Sequence, residues 1–158
     1  MAVLCRAART AVGARGRETD TVPKTSMRLA LPGGGTEPIG SRVVELPEDE
    51  AAAVARDPRS GFVAYVPTGS IARGKTLVTT GGGGETTACV ICHGPVLKGI
   101  GATPPLAGRH AGYLVRQLYS LQDGSRSGPS VALMHNVVQR LTDDDMVAIA
   151  AYVASLQP

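Results

Sequence analysis

The chain has no tryptophan, one phenylalanine and four tyrosines among its 158 residues. Aromatic rings are the bulkiest fillers of a protein interior. A domain this poor in them gains from some other large apolar object to fold around. Cysteine is scarce as well: Cys89 and Cys92 stand close together and Cys5 stands alone, which excludes a framework of spaced disulfides. No apolar run approaches the roughly 20 residues of a membrane-spanning helix. A basic stripe is also missing. The net charge of +3 arises in residues 1–28, and the remaining 130 residues carry ten basic against eleven acidic side chains. With no basic patch interleaved with aromatics in the body of the chain, nucleic acid is not an expected partner.

Three regions differ in pattern. Residues 1–28 show no hydrophobic periodicity and read as disordered, or as a truncated leader. They have the arginines of a signal-peptide n-region but no apolar h-region behind them. Residues 29–67 read as an N-terminal extension. Gly33-Gly34-Gly35 is a turn, and Ile39–Leu46 and Phe62–Val66 are β-prone runs. Between those runs, Pro47 to Arg56 starts well as a helix, with acidic residues in its first turn, and Asp57-Pro58 breaks it. This extension is expected to pack on the main domain without chemistry of its own.

Residues 68–158 read as a helical domain. Ser70 to Val78 predicts a short helix, followed by a flexible run at Gly81-Gly82-Gly83-Gly84. Arg109 to Gln122 carries Tyr113, Leu114, Leu118 and Leu121 on one helical face, and Gly124 is placed to stop it. Thr142 caps a last helix whose first turn is Asp143-Asp144-Asp145. Met146, Ile149, Ala150, Val153 and Leu156 give that helix an apolar stripe.

The chemistry lies in Cys89-Val90-Ile91-Cys92-His93. Two thiols one helical turn apart match the two vinyl groups along one edge of a haem. The next residue, His93, is then directed at the iron from the same side. Thioether bonds to Cys89 and Cys92 would hold the cofactor covalently, and His93 would ligate the metal. A thioredoxin-like redox pair has no need of the histidine and calls for a βαβ context. A zinc site needs a fourth ligand, and neither Cys5 nor His110 forms a recognisable second knuckle.

On these residues, the stretch 68–158 resembles a class I c-type cytochrome. It is similar to the small bacterial mono-haem proteins and to one domain of the di-haem ones. The run Cys89 to Gly94 carries the resemblance together with Pro104-Pro105-Leu106-Ala107-Gly108 and Tyr113-Leu114-Val115-Arg116-Gln117-Leu118. Met134, Leu141-Thr142-Asp143-Asp144-Asp145 and Ala151-Tyr152-Val153-Ala154-Ser155-Leu156 complete it. The fold it implies is all-α, short helices wrapped around covalent haem c, here with an irregular and partly β N-terminal extension. It implies Met134, in a Gly/Pro-containing loop, as the second axial ligand, with the adjacent His135 as rival. Met146 lies on the last helix, where core packing is its better use. The resemblance further implies that the Pro105 carbonyl accepts the other ring N–H of His93. Leu106 is expected to pack on the haem, and Gly74 to meet Tyr152 where the first and last helices cross. Arg109, Arg116 and Gln117 could serve haem propionates or solvated helix faces. Only one Cys-x-x-Cys-His is present, whereas di-haem relatives carry two.

The function expected from this reading is one-electron transfer by an iron with both axial positions filled. The protein would be a carrier rather than an enzyme, or the cytochrome subunit of a dehydrogenase complex. Its partners would be a donor dehydrogenase or cytochrome and an acceptor oxidase or cytochrome. The location would be periplasmic, since haem attachment follows export. The rival readings are a haem catalyst or sulfur-oxidising subunit, which would need an open distal site, and a non-haem Cys-x-x-Cys module.

Overall fold

The computed structural model describes residues 15–26 and 29–158. Its N-terminal part is rich in sheet. Strand β1 (Arg15–Thr19) is followed by two small antiparallel ribbons. One joins β2 (Thr21–Pro23) to β5 (Thr36–Pro38), the other β3 (Thr25–Ser26) to β4 (Leu29–Ala30). Strand β6 (Val44–Pro47) leads through helix α1 (Glu50–Val54) into β7 (Phe62–Pro67). The main sheet has the order β1-β7-β6: β1 lies parallel to β7, and β6 antiparallel to it. Alternation along β7 buries Ala64 and Val66 completely.

Several expectations change here. Residues 15–26, expected to lack regular structure, form β1, β2 and β3; residues 1–14 and 27–28 lie outside the described residues. Arg-Gly-Arg-Glu-Thr has no alternating apolar face. It becomes a strand through its pairing with β7, far downstream. Pro47 closes β6 instead of opening α1, which is capped by Asp49 through a bond from the Ala52 N–H to Oδ1 (3.0 Å). The chain therefore joins helices to a sheet-bearing N-terminal part and is not purely α-helical.

The helices that follow are α2 (Ser70–Thr80), α3 (Val90–His93), α4 (Ala111–Gln122), α5 (Ala132–Val138) and α6 (Asp143–Ser155). Thr142 caps α6 in a reciprocal capping box with Asp145. Helix α6 is buried without interruption from Asp145 to Ala151, which is more than an amphipathic surface helix buries. Helices α2 and α4 cover part of it, and β1 and β7 cover another part. Two glycines permit this close approach. A Cβ on Gly74 would run into the Ala148 carbonyl and lie 2.9 Å from the Tyr152 Cβ. A Cβ on Gly16 in β1 would sit 3.2 Å from the Ala151 carbonyl oxygen. Met146 is fully buried in the core, as its place on α6 suggested. Among the described residues no helix is long and apolar enough to cross a membrane.

The sheet also completes two helix ends. Gly69 precedes α2 with φ 87° and has no side chain to cap it, so the Ile71 N–H donates to Glu18 of β1 (2.8 Å). The residue preceding α4, His110, makes no side-chain cap either. There the Gly112 N–H donates to Glu45 of β6 (3.2 Å). A carboxylate at each site meets the positive end of a helix dipole.

Arg73 on α2 donates from Nε to Asp145 (2.9 Å) and forms an ion pair with the same carboxylate. Burial of Asp145 works against ionisation. The Thr142 N–H (3.0 Å), the Arg73 guanidinium and the Thr142 hydroxyl (2.8 Å) outweigh it and hold the carboxyl below its usual range. The stabilisation is therefore present above the unfolded pKa and is lost as pH falls through the depressed folded value.

Two outcomes are expected. Gly74→Ala should lower stability by about 3 kcal/mol, since the clash is with backbone, and urea denaturation of the haem-loaded protein checks this. Asp145→Asn should lose about 2 kcal/mol at neutral pH. The deficit should shrink at pH 3, below the ordinary range of an unfolded aspartate, because the unfolded chain there takes up a proton that the folded carboxylate resists; an equal deficit at both pH values would contradict the assignment.

Candidate functional site

The Cys motif is brought back against the core by a tight reversal. Helix α2 ends at Gly81 (φ 76°), where a Cβ would collide with the Thr86 carbonyl. The Thr86 hydroxyl then donates to the Val137 carbonyl at the end of α5 (2.6 Å), fixing the approach to the motif. Helix α3 is a single turn. The His93 N–H donates to the Cys89 carbonyl (2.9 Å), so Cys89 and His93 stand one turn apart, and Gly94 (φ 87°) ends the helix.

His93 is buried, with 6% of its surface exposed. Its Nδ1 lies 2.8 Å from the Pro104 carbonyl oxygen. A carbonyl can only accept, so Nδ1 carries a proton, and in the neutral ring Nε2 then keeps the lone pair needed to ligate a metal. The acceptor corrects the expectation of Pro105 by one residue. The Pro105 carbonyl instead accepts from Arg109 Nε (2.7 Å). The physical reason is the tight loop that precedes it. Gly99 (φ 84°) takes the His93 carbonyl on its N–H (2.9 Å), and a Cβ on Gly99 would lie 2.6 Å from the Thr103 oxygen and 3.0 Å from Pro105 N. This packing leaves the Pro104 carbonyl opposite the imidazole.

Leu106 is half-buried against the core, and its N–H donates to the Leu97 carbonyl (2.8 Å). Met134 is also half-buried against the core, but on helix α5 and not in a loop. Gly128 and Pro129 mark irregular backbone only as far as Ser130. Beyond them nothing breaks a helix, and the His135 N–H donates to the Val131 carbonyl (3.1 Å). The His135 ring donates from Nδ1 to the Leu121 carbonyl of α4 (3.0 Å). Gln117 accepts from Arg126 (2.6 Å), and Arg116 is exposed.

The residues present fit a large apolar cofactor. Cys89, Val90, Leu106, Leu118, Val131 and Met134 each pack one side on the buried core and leave the rest accessible. They come from α3 and the residue before it, the loop that follows, α4, and α5 and the residue before it. The non-haem readings find less support. Burial pushes the Cys89 thiol up to about 11, a poor start for disulfide exchange, which needs a thiolate. Among the described residues no group of three or more His, Cys, Asp or Glu side chains is placed to hold a metal ion; Cys5 lies outside those residues. His110 is turned to Glu45 (3.5 Å) and stands edge-on to Phe62. Sequence reasoning missed Pro104, Gly99 and Glu45. The one available signal was the pair of adjacent prolines, which frames two candidate carbonyls without choosing between them.

A helical domain presenting a Cys-x-x-Cys-His turn, a buried histidine with a free Nε2 and an apolar border defines a c-type cytochrome. The chain belongs to the cytochrome c family, whose model matches residues 71–157. It is 40% identical over 99 residues to the thiosulfate dehydrogenase electron acceptor of Thiomonas intermedia, covering 61% of this chain and 46% of that protein. The same-named protein of Stutzerimonas stutzeri is 42% identical over 43% of this chain and 32% of its own length. The match thus spans less than half the length of either relative. Among solved structures, cytochrome c4 of Acidithiobacillus ferrooxidans superposes with a TM-score of 0.52 at 34% identity, over 56% of this chain and 50% of that one. A thiosulfate dehydrogenase structure from Marichromatium purpuratum gives 0.51 at 43% identity, over 55% of this chain and 19% of that one.

Proposed function

We propose that this chain carries single electrons on one covalently attached haem c, bound through Cys89 and Cys92, with His93 and Met134 as axial ligands. The observation that carries the reading is the buried His93, one turn after Cys89, whose Nδ1–H is committed to Pro104 and whose Nε2 is left free. When bound, the haem supplies an iron that gains and loses one electron. The chain's residues keep that group in one place. His93 is held in plane by its hydrogen bond, which also strengthens it as a donor. Leu106 and the other half-buried apolar side chains exclude water.

The choice of Met134 over His135 is supported by helix geometry. Neighbours on a helix point about 100° apart, so a single crevice meets one of them. His135 is tied to α4 through Leu121, whereas Met134 lies with the apolar side chains against the core. A filled distal position suits a carrier and leaves no place for a substrate, which disfavours a haem catalyst. The relatives named as electron acceptors of thiosulfate dehydrogenase support a dehydrogenase of that kind as the donor. The acceptor would be an oxidase or another cytochrome. The periplasm is the matching compartment, and a role as the cytochrome part of a larger dehydrogenase is compatible with the thiosulfate dehydrogenase match.

The decisive experiment is pyridine haemochrome spectroscopy on protein matured with the c-type attachment machinery. Haem should remain with the polypeptide after acid-acetone extraction, and the Cys89→Ala/Cys92→Ala double variant should release it. Release from the wild type would end the proposal. For the distal ligand, Met134→Ala should abolish the weak far-red sulfur-to-iron charge-transfer band and allow cyanide to bind. Met146→Ala should keep the band. Persistence of the band without Met134 would assign the ligand elsewhere.

A further inference from the structure

The carbonyl that receives the His93 proton sits in a segment that cannot anchor itself. Pro104 and Pro105 have no N–H, so they can accept hydrogen bonds but cannot donate them into the surrounding backbone. The flanking donors are Thr103, to the Ile100 carbonyl (2.9 Å), and Leu106, to the Leu97 carbonyl (2.8 Å). Between them each proline carbonyl meets one side-chain donor: His93 on Pro104 (2.8 Å) and Arg109 on Pro105 (2.7 Å).

The ring of Pro105 fixes its φ, so one rotation, ψ of Pro105, separates the peptide plane bearing the Pro104 carbonyl from the next one. Arg109 Nε and the Leu97 carbonyl grip that next plane from its two ends, the oxygen and the N–H. Arg109 is itself well founded. Its N–H donates to the Leu106 carbonyl (3.1 Å), and the N–H of the preceding Gly108 donates to Val153 on α6 (3.0 Å). The side chain thus reaches back from a backbone pinned to the most buried helix of the fold.

We propose that Arg109 is a positioning residue for His93. By holding the Pro105 carbonyl it sets the direction of the Pro104 carbonyl, and through that bond the electron donation of His93 Nε2 to its metal. This rests on the reading of His93 as the proximal ligand of a covalent haem. An exposed arginine serving only as a positive charge would act differently. Its loss would lower the reduction potential slightly, because an oxidised centre would be less repelled. Loosening the His93–Pro104 bond weakens the ligand as a donor and raises the potential. The two roles therefore differ in sign.

The test is Arg109→Met in the haem-loaded protein, which keeps the apolar stem and removes donor and charge. Arg116→Met, an exposed arginine on α4, is the control for charge. Two quantities are read: the midpoint potential, and the hydrogen–deuterium exchange of the His93 Nδ1 proton by NMR in the reduced state. Arg109→Met should exchange at least about tenfold faster, the lower bound for one lost hydrogen bond to a charged donor, and its potential should rise. Arg116→Met should leave the exchange rate unchanged. Wild-type exchange in Arg109→Met, or a potential that falls, overturns the assignment of Arg109 alone. A wild-type protein lacking covalent haem in the same preparation overturns the reading of His93, and this proposal with it.

Discussion

Helix α2 reaches the backbone of α6 only because position 74 has no side chain. A Cβ there meets the Ala148 carbonyl head-on. At that separation the helices share a seam of Leu77, Val78, Met146 and Val153, all essentially free of solvent. Close-packed interiors transmit displacement, so the position of α6 is felt wherever α6 is touched. It is touched widely. The sheet rests on it through β1 and β7, α4 packs along it, and the loop beyond the Cys motif hangs from it by the Gly108 N–H.

The sheet-bearing N-terminal part is joined to the helices by more than apolar contact. Both α2 and α4 begin at residues whose side chains do not cap them, and each receives a carboxylate from a strand far away in sequence. Glu18 serves α2, and Glu45 serves α4. Asp20 adds a bond from the Thr68 hydroxyl (2.7 Å) at the entry to α2. The family match begins at residue 71, so these caps come from outside the matched region. The helical part consequently has orphaned amides that its own residues leave open and the sheet closes.

The site inherits its precision from this frame. His93 would be an ordinary exposed side chain on a one-turn helix, since a single turn has little stability of its own. Its ring is fixed because α3 is held at both ends, by Thr86 on Val137 before it and by the Gly99 N–H on the His93 carbonyl after it. The acceptor for its proton lies in a loop whose two prolines restrict the backbone and whose flanking amides return to Leu97 and Ile100.

The Cys-x-x-Cys-His turn was fully legible in the sequence, because its chemistry depends on residues within one helical turn and on nothing distant. The cap at Thr142 and the buried stripe behind it were legible for the same reason: Thr142, Asp145 and Met146 interact at helical spacing. The Gly74–Tyr152 crossing was visible only through the family resemblance, and the structure gives its cause. Other features could not be read locally. Strand β1 has no apolar alternation and owes its existence to β7. The helix bearing Met134 was hidden behind Gly128 and Pro129, whose breaking effect stops before it begins. The choice between Pro104 and Pro105 was decided by the turn at Gly99 and the reach of Arg109, which place two adjacent carbonyls against different donors. Sequence by itself determined what could be attached to this chain, since covalent and helical chemistry are local. Tertiary structure decided which groups orient His93, because a hydrogen bond depends on position in space and a count along the chain does not supply it.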